Sequence, residues 1–136
     1  MQVALGSDDA GPLVDAIAGH LVAAGHEVDR LQVGAEWPEV GRAVAEAVAK
    51  GEADFGVVCC WTGTGVSIVA NKVEGVRAAL CRDAETAEGA RRWNDANVLA
   101  LSLRATTPAV AAEILDAWLD SSPDPEEMEA IARIEA

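Results

Sequence analysis

The chain has 136 residues, the size of one domain, and its 51% hydrophobic content is enough for a real core and excludes global disorder. Lys plus Arg number 10 against 23 Asp plus Glu, a formal charge of −13. With a sequence pI near 4.3, that balance argues against nucleic acid and against anionic membrane surfaces as partners.

In chain order, short β-branched runs alternate with amphipathic helical stretches. Gln2–Gly6 (QVALG) reads as a first strand. Pro12–Ala24 follows as a helix with Leu13, Ile17, Leu21 and Ala24 at helical spacing, Pro12 in the first turn and Gly25 at its end. Glu27–Leu31 alternates as a second strand, and Pro38–Lys50 is a helix carrying Val40, Val44, Ala47 and Val48. Phe55–Cys60 (FGVVCC) is a continuous apolar run, as a buried parallel strand requires. The Gly-rich segment WTGTG leads into a helix through Asn71. Val76–Cys81 is the fourth strand, Asp83–Arg92 a polar helix capped by Asp83, Val98–Leu103 the fifth strand and Pro108–Leu119 a helix. Pro123 and Pro125 set off an acidic terminal helix over Glu126–Ile134. Five strand–helix units in one domain over 1–136 predict an open parallel five-stranded α/β sheet with helices on both faces, Rossmann-like or flavodoxin-like.

No apolar run reaches the roughly 18–20 residues that span a bilayer, and MQVALGSDD lacks the basic start of a signal peptide, so a soluble cytoplasmic protein is expected. Three cysteines, two of them adjacent, make no disulfide framework. With two histidines and no ligand spacing, neither a metal nor another cofactor is expected.

Ligands of open parallel sheets bind beyond the carboxyl ends of the strands. The first candidate is therefore Cys60-Trp61-Thr62-Gly63-Thr64-Gly65. A buried strand brings a thiol to the sheet edge, and glycines free backbone N–H groups where a helix starts. Such groups stabilise anions, favour a thiolate and could hold an enediolate oxygen. The alternative is a tight turn beside a buried cysteine. The glycines match neither a Walker loop nor a dinucleotide fingerprint. Asp8 and Asp9 could orient sugar hydroxyls, or could simply start a helix. Asn94-Asp95-Ala96-Asn97 reads either as a polar shelf or as a turn. Cys59 and Cys81 read as small core residues, His20 and His26 as surface groups, and the tryptophans as packing anchors apart from Trp61 and Trp93, which flank the candidate segments. Arg77, Arg82, Arg91, Arg92 and Arg104 are expected to be solvated or paired with nearby Glu residues.

The run CWTGTGVSIVANK (Cys60–Lys72), the opening LGSDDAG, the segment WNDANVLA (Trp93–Ala100) and Asp116-Ala117-Trp118-Leu119 resemble the ribose-5-phosphate isomerase type B and galactose-6-phosphate isomerase family, in order and over nearly the whole chain. The resemblance implies a homodimer, or a dimer of dimers, with sites between subunits. It also implies metal-free interconversion of aldoses and ketoses through a cis-enediol. Cys60 matches the cysteine that moves the proton; the branch that uses glutamate has it where this chain has Val66. The resemblance places the anion hole on the N–H groups of Gly63, Thr64, Gly65, Val66 and Ser67. Asp8 matches an aspartate on the sugar oxygens, Asn94 an asparagine near the enediolate, Thr62 a hydroxyl relay and Arg104 an arginine supplied across the interface.

The departures concern the substrate. Asp9 stands where the family has histidine, Trp93 replaces the ring-opening histidine, Trp37 replaces a tyrosine, and Pro123 and Glu127 replace two phosphate-binding arginines. Losing two charge-assisted hydrogen bonds costs about 3–6 kcal/mol, a hundredfold to ten-thousandfold in phosphate affinity. The expected substrate is a small non-phosphorylated or atypical sugar, with Trp61 and Trp93 available to stack on its apolar face. The alternatives are a ribose-5-phosphate isomerase using other cations such as Arg82, Arg92 or Arg104, and a non-catalytic sugar-binding relative.

Overall fold

The computed structural model describes residues 1–135. Five strands, β1 (Gln2–Ser7), β2 (Glu27–Val33), β3 (Phe55–Cys60), β4 (Ala78–Leu80) and β5 (Val98–Ser102), form one parallel sheet in the order β2-β1-β3-β5-β4. Helices α1 (Pro12–Ala23), α2 (Trp37–Ala49), α3 (Thr64–Ala70), α4 (Ala84–Asn94) and α5 (Pro108–Leu119) cover it on both faces. The expected α/β architecture is therefore present. The pairing of β1 with β3 leaves the β1 and β3 loops side by side at the switch point, where such sheets bind ligands.

The strand pleat divides the core in two. Val3, Leu5, Val57, Cys59, Leu99 and Leu101 pack with α1, α4 and α5. Ala4, Val58, Cys60, Val98 and Ala100 pack with α2 and α3. Successive residues of a strand point to opposite faces, so the adjacent cysteines are separated by the sheet. The α2 layer lies close: a Cβ on Gly56 would run into Val44 Cγ1, and one on Gly41 would stand 3.0 Å from the Val66 carbonyl oxygen.

Several boundaries differ from the sequence expectation, each for a local reason. The α1 stripe is Val14, Ile17, Ala18 and Leu21; Leu13 is only partly buried and Ala24 lies on the surface. β2 runs on to Val33 as an edge strand. β4 is only three residues long; at its start Arg77 N–H donates to Asn97 Oδ1 at 2.7 Å, and on its outer side the Asn71 amide accepts from Ala78 N–H (2.8 Å) and donates to Ala78 C=O (3.0 Å). Asn71 so occupies the outer edge of the sheet as a strand would. α4 runs to Asn94 and stops at Asp95, which takes a left-handed conformation (φ 47°). Asp83 caps its start by accepting from Thr86 N–H at 2.7 Å.

The acidic terminal helix is shorter than expected. A 3-10 turn at Pro125–Glu127 precedes α6 (Met128–Ala132). The segment is fastened to its own chain: Arg92 donates to both Asp124 carboxylate oxygens (3.1 and 3.0 Å), Asp124 N–H donates to Arg92 C=O (2.8 Å), and Ile131 is buried. Of the four tryptophans only Trp118, 2% exposed, is a core anchor; it packs near Phe55 and under Arg91. Trp37, Trp61 and Trp93 are 45%, 62% and 51% exposed. Among the described residues no helix is long and apolar enough to cross a membrane.

Candidate active site

β3 ends at Cys60, and its carbonyl accepts from Leu103 N–H at 2.9 Å, which fixes the strand end against the β5 loop. The chain then turns through Trp61 and Thr62. Trp61 C=O accepts from Ser102 Oγ (2.9 Å) and Arg104 N–H (3.0 Å). Gly63 is the reversal point, with φ 78° and no side-chain cap for the helix that follows. The first helical bond of α3 runs from Ser67 N–H to Gly63 C=O at 3.3 Å, so the N–H groups of Thr64, Gly65 and Val66 have no intrahelical acceptor.

A cleft of about 300 Å³ opens at this point, lined by Asp8, Trp37, Cys60, Trp61, Thr62, Thr64 and Gly65. Cys60 is only 5% exposed, yet its exposed edge faces the cleft. Asp8 arrives from the end of β1, where its N–H donates to Cys59 C=O at 3.2 Å. Partial burial, and then the neighbouring Asp9 carboxylate, raise the Asp8 pKa above the usual aspartate value, against the lowering effect of its backbone hydrogen bond. The Thr62 and Thr64 hydroxyls are hydrogen-bonded to each other at 2.9 Å on the rim.

The structure gathers Cys60, Trp61, Thr62, Thr64, Gly65 and Asp8, and it leaves other candidates elsewhere. Asp9 faces a separate hollow with Gly11, Pro12 and Leu103, because Ser7 Oγ folds the Asp9 backbone back in a tight turn (2.7 Å to its carbonyl). Val66 is fully buried with the α2 layer, so only its N–H can serve a ligand. Gly63 is likewise buried against Leu80 and Leu101, and Ser67 does not line the cleft. Trp93 and Asn94 lie along α4 beside a different cavity of about 490 Å³ walled by Ala79, Leu80 and Ala90. Arg104 touches the loop through its backbone.

Another cavity, of about 600 Å³, lies beside β4 between Asn71, Arg77 and Asn94. Two of its polar side chains are already committed: Asn71 to Ala78, and Arg77 to the Asp95 backbone carbonyl (2.7 Å) and carboxylate (3.2 Å). The Asn94–Asn97 segment is thus a turn braced by Arg77 and Arg91 on Asp95, rather than a shelf facing the thiol.

The arginines pair mainly with aspartates. Asp95 holds Arg77 and Arg91, while Asp124 and Glu88 hold Arg92. Arg82 and Arg104 make no ion pair among the described residues. Burial pushes Cys59 up to about 12, with Cys60 and Asp8 adding to it; burial, then Asp83, pushes Cys81 to about 12. Both are inert thiols in the core. His20 bonds Asp116 at 2.6 Å and His26 bonds the N-terminal amine at 3.0 Å, so neither imidazole reaches the cleft. No cluster of three or more His, Cys, Asp or Glu arranged for a metal occurs among the described residues.

Sequence reasoning missed one wall. From the sequence Trp37 stands only as a substitution and not as a site residue, yet it lines the cleft and lies on Gly65. No periodicity marks it, because what brings the ring to the cleft is the missing side chain of Gly65 in the first turn of α3.

A family model described as Ribose/Galactose Isomerase matches residues 3–136. Ribose-5-phosphate isomerase B of Escherichia coli (strain K12) is 39% identical over 143 residues, covering 98% of this chain and 96% of that protein. D-erythrulose-4-phosphate isomerase of Pectobacterium atrosepticum is 46% identical over 85 residues, which are 62% of this chain and only 56% of that protein's length. The structure of Clostridium thermocellum ribose-5-phosphate isomerase B superposes with a TM-score of 0.94 at 38% identity, covering 99% of this chain and 95% of that one.

Proposed function

The chain belongs to the ribose/galactose isomerase family, and from that premise we propose that it is an aldose–ketose isomerase in which Cys60 carries the proton between adjacent carbons of a small sugar without a phosphate group. The observation that carries this reading is one cleft holding a thiol, a carboxyl and a free helix N-terminus, and no cationic side chain.

The chemistry follows from the arrangement. The Cys60 thiolate removes the proton from the carbon beside the carbonyl, and the C–H electron pair becomes the C=C bond of a cis-enediolate. Negative charge moves to the former carbonyl oxygen, where the N–H groups of the α3 first turn stabilise it. Asp8, its pKa raised by partial burial and then by Asp9, takes hydrogen bonds from the sugar hydroxyls. The linked Thr62 and Thr64 hydroxyls offer a route for the oxygen-bound proton. The Cys60 thiol then returns its proton to the neighbouring carbon, completing the isomerisation with no net change of oxidation state.

One chain contributes no Arg or Lys to the lining of the cleft, which supports an uncharged substrate. Phosphate recognition relies on Arg and Lys, and Arg92, a candidate for that role, is already held by two carboxylates. Trp93, Asn94 and Arg104 lie outside the cleft of their own chain, so a second copy would have to supply them. The exposed Trp61, Ile68, Leu80 and Trp93 offer apolar surface for such a homodimer. The acidic surface fits a cytoplasmic setting.

The test is deuterium incorporation from solvent next to the carbonyl, over paired free and phosphorylated aldoses and ketoses. Exchange on free sugars that vanishes in Cys60→Ala supports the assignment; exchange that persists in that variant overturns it. Because Arg82 and Arg104 make no ion pair among the described residues, a phosphate-using isomerase is the second reading. Turnover of ribose 5-phosphate well above that of ribose, lost in Arg104→Ala, would establish it.

A further inference from the structure

The reversal at Gly63 puts Thr62 and Thr64 side by side, and their Oγ1 atoms are 2.9 Å apart, one hydroxyl bonded to the other. Both residues line the cleft that contains Cys60. The chain that carries them is held at three points. Before the pair, the Trp61 carbonyl accepts from Ser102 Oγ and Arg104 N–H. Between the two threonines, Gly63 lies against the Leu101 backbone, and after them Gly65 lies under the Trp37 ring. Among the described residues neither hydroxyl has another hydrogen-bond partner. A hydroxyl has one proton and two lone pairs. Their mutual bond uses one proton, so the pair keeps one proton to give and lone pairs to receive another.

An aldose–ketose interconversion moves two protons. Cys60 accounts for the one on carbon. The other must leave the O2 hydroxyl of the aldose and arrive on O1, because the ketose has a hydroxyl where the aldose has its carbonyl. The two oxygens of a cis-enediolate sit on adjacent carbons in one plane, about 2.8 Å apart, which is also the length of an ordinary O–H···O bond. The threonine oxygens have nearly the same spacing. Laid edge to edge, the four oxygens close a ring in which each threonine meets one substrate oxygen.

We propose that Thr64 is a second catalytic hydroxyl, which together with Thr62 carries the oxygen-bound proton between O2 and O1. The O2 proton passes to Thr62 Oγ1, the Thr62 proton to Thr64 Oγ1 and the Thr64 proton to O1. Three O–H bonds break and three form, the negative charge moves from O1 to O2, and both threonines end as neutral hydroxyls. The reverse order serves the ketose. The proposal rests on the isomerase reading and assigns the proton that Cys60 does not move.

The test reads the two protons separately. Deuterium that enters the recovered aldose from solvent reports the carbon-bound proton alone, whereas ketose formation needs the oxygen-bound proton to move as well. Both are measured on tetroses, pentoses and hexoses, free and phosphorylated, in wild type, Thr64→Val, Thr64→Ser, Thr62→Val and the double valine variant. A positioned proton-transfer group contributes about a hundredfold to ten-thousandfold. Thr64→Val, which keeps the branched shape and deletes the hydroxyl, should therefore raise the ratio of exchange to ketose formation by about tenfold or more. Thr64→Ser should keep the wild-type ratio within about threefold, and the double variant should shift it no further than either single change, as members of one relay do. Should Thr64→Val fail to fold, the same shift must appear in Thr64→Ala. An unchanged ratio, with exchange and ketose formation lost equally or not at all, overturns the relay and leaves the isomerase reading standing. A wild type that exchanges none of the sugars sinks that reading, and the relay with it.

Discussion

Replacing Gly63 by alanine tests how the loop that shapes the site is held. Two costs combine there. At φ 78° an alanine sits in the left-handed region, which costs about 1–2 kcal/mol. Its Cβ would lie 2.6 Å from Leu80 Cδ1 and 3.0 and 3.1 Å from the Leu101 carbonyl carbon and oxygen. The leucine tip is partly exposed and can rotate away. The Leu101 peptide belongs to β5 and pairs with β3, so it cannot move without disturbing the sheet. Overpacking of that kind costs about 1–3 kcal/mol, and the total is about 2–5 kcal/mol. For a chain of this length that lowers Tm by roughly 6–20 °C. Two other glycines separate the terms. Gly75 has φ 85° with nothing near its missing Cβ, so Gly75→Ala should show the backbone term alone, about 1–2 kcal/mol. Gly11 is extended (φ 169°) and equally open, so Gly11→Ala should fall within about 0.5 kcal/mol of zero. Urea denaturation with a shared m-value measures all three. If Gly63→Ala costs no more than Gly75→Ala, the close packing of the loop against β5 is not what holds it, and the reasoning fails.

Other outcomes follow from the same contacts. In the native protein a small thiol reagent should modify Cys60 alone, and Cys60→Ser should abolish labelling; modification of Cys59 or Cys81 before unfolding would contradict their burial and their pKa near 12. Asn71→Ala removes two hydrogen bonds at the β4 edge and should cost about 1–2 kcal/mol, with faster amide exchange at Ala78 as the local readout. Asp8 titrates above its ordinary value, so the folded state holds an extra proton between the two values, and stability falls as pH rises through that window. Asp8→Asn should flatten that fall in pH-dependent melting curves. Asp83, lowered by its hydrogen bonds to Thr86, contributes stability that is lost as pH falls below about 3.8, and Asp83→Asn should remove that acid limb.

The fold was legible because its signals are periodic. FGVVCC, with no polar residue, could only be a strand covered on both faces, and it became β3 at the centre of the sheet. β4 was harder to delimit. VRAALC looks like a longer strand, but its outer partners are the Asn71 and Asn97 side chains, which periodicity does not register. The terminal helix failed for a similar reason, since its path follows from the clamp between Arg92 and Asp124, 32 residues apart in the chain. In the site, Cys60, Asp8 and Thr62 were legible because they stand at strand ends or in the glycine loop. Trp37 was not, since what places it in the cleft is the missing side chain of Gly65.

The pair Cys59–Cys60 shows how the sheet turns a local sequence into chemistry. The two thiols are adjacent and identical in composition, and nothing intrinsic to either makes it reactive. The pleat sends Cys59 into the α1, α4 and α5 layer, where burial keeps it protonated far above neutral pH. It sends Cys60 to the α2 and α3 layer, at the last residue of the strand, where the layer is interrupted. That interruption exists because α3 begins late, after a turn that only Gly63 can make, and because Gly65 carries no side chain to fill the gap. Trp37 then occupies part of the space that Gly65 leaves. A one-residue register shift in β3 would put Cys59 at the cleft and Val58 in its place under α1, α4 and α5, so the sheet register that buries the core also determines which sulfur meets the substrate.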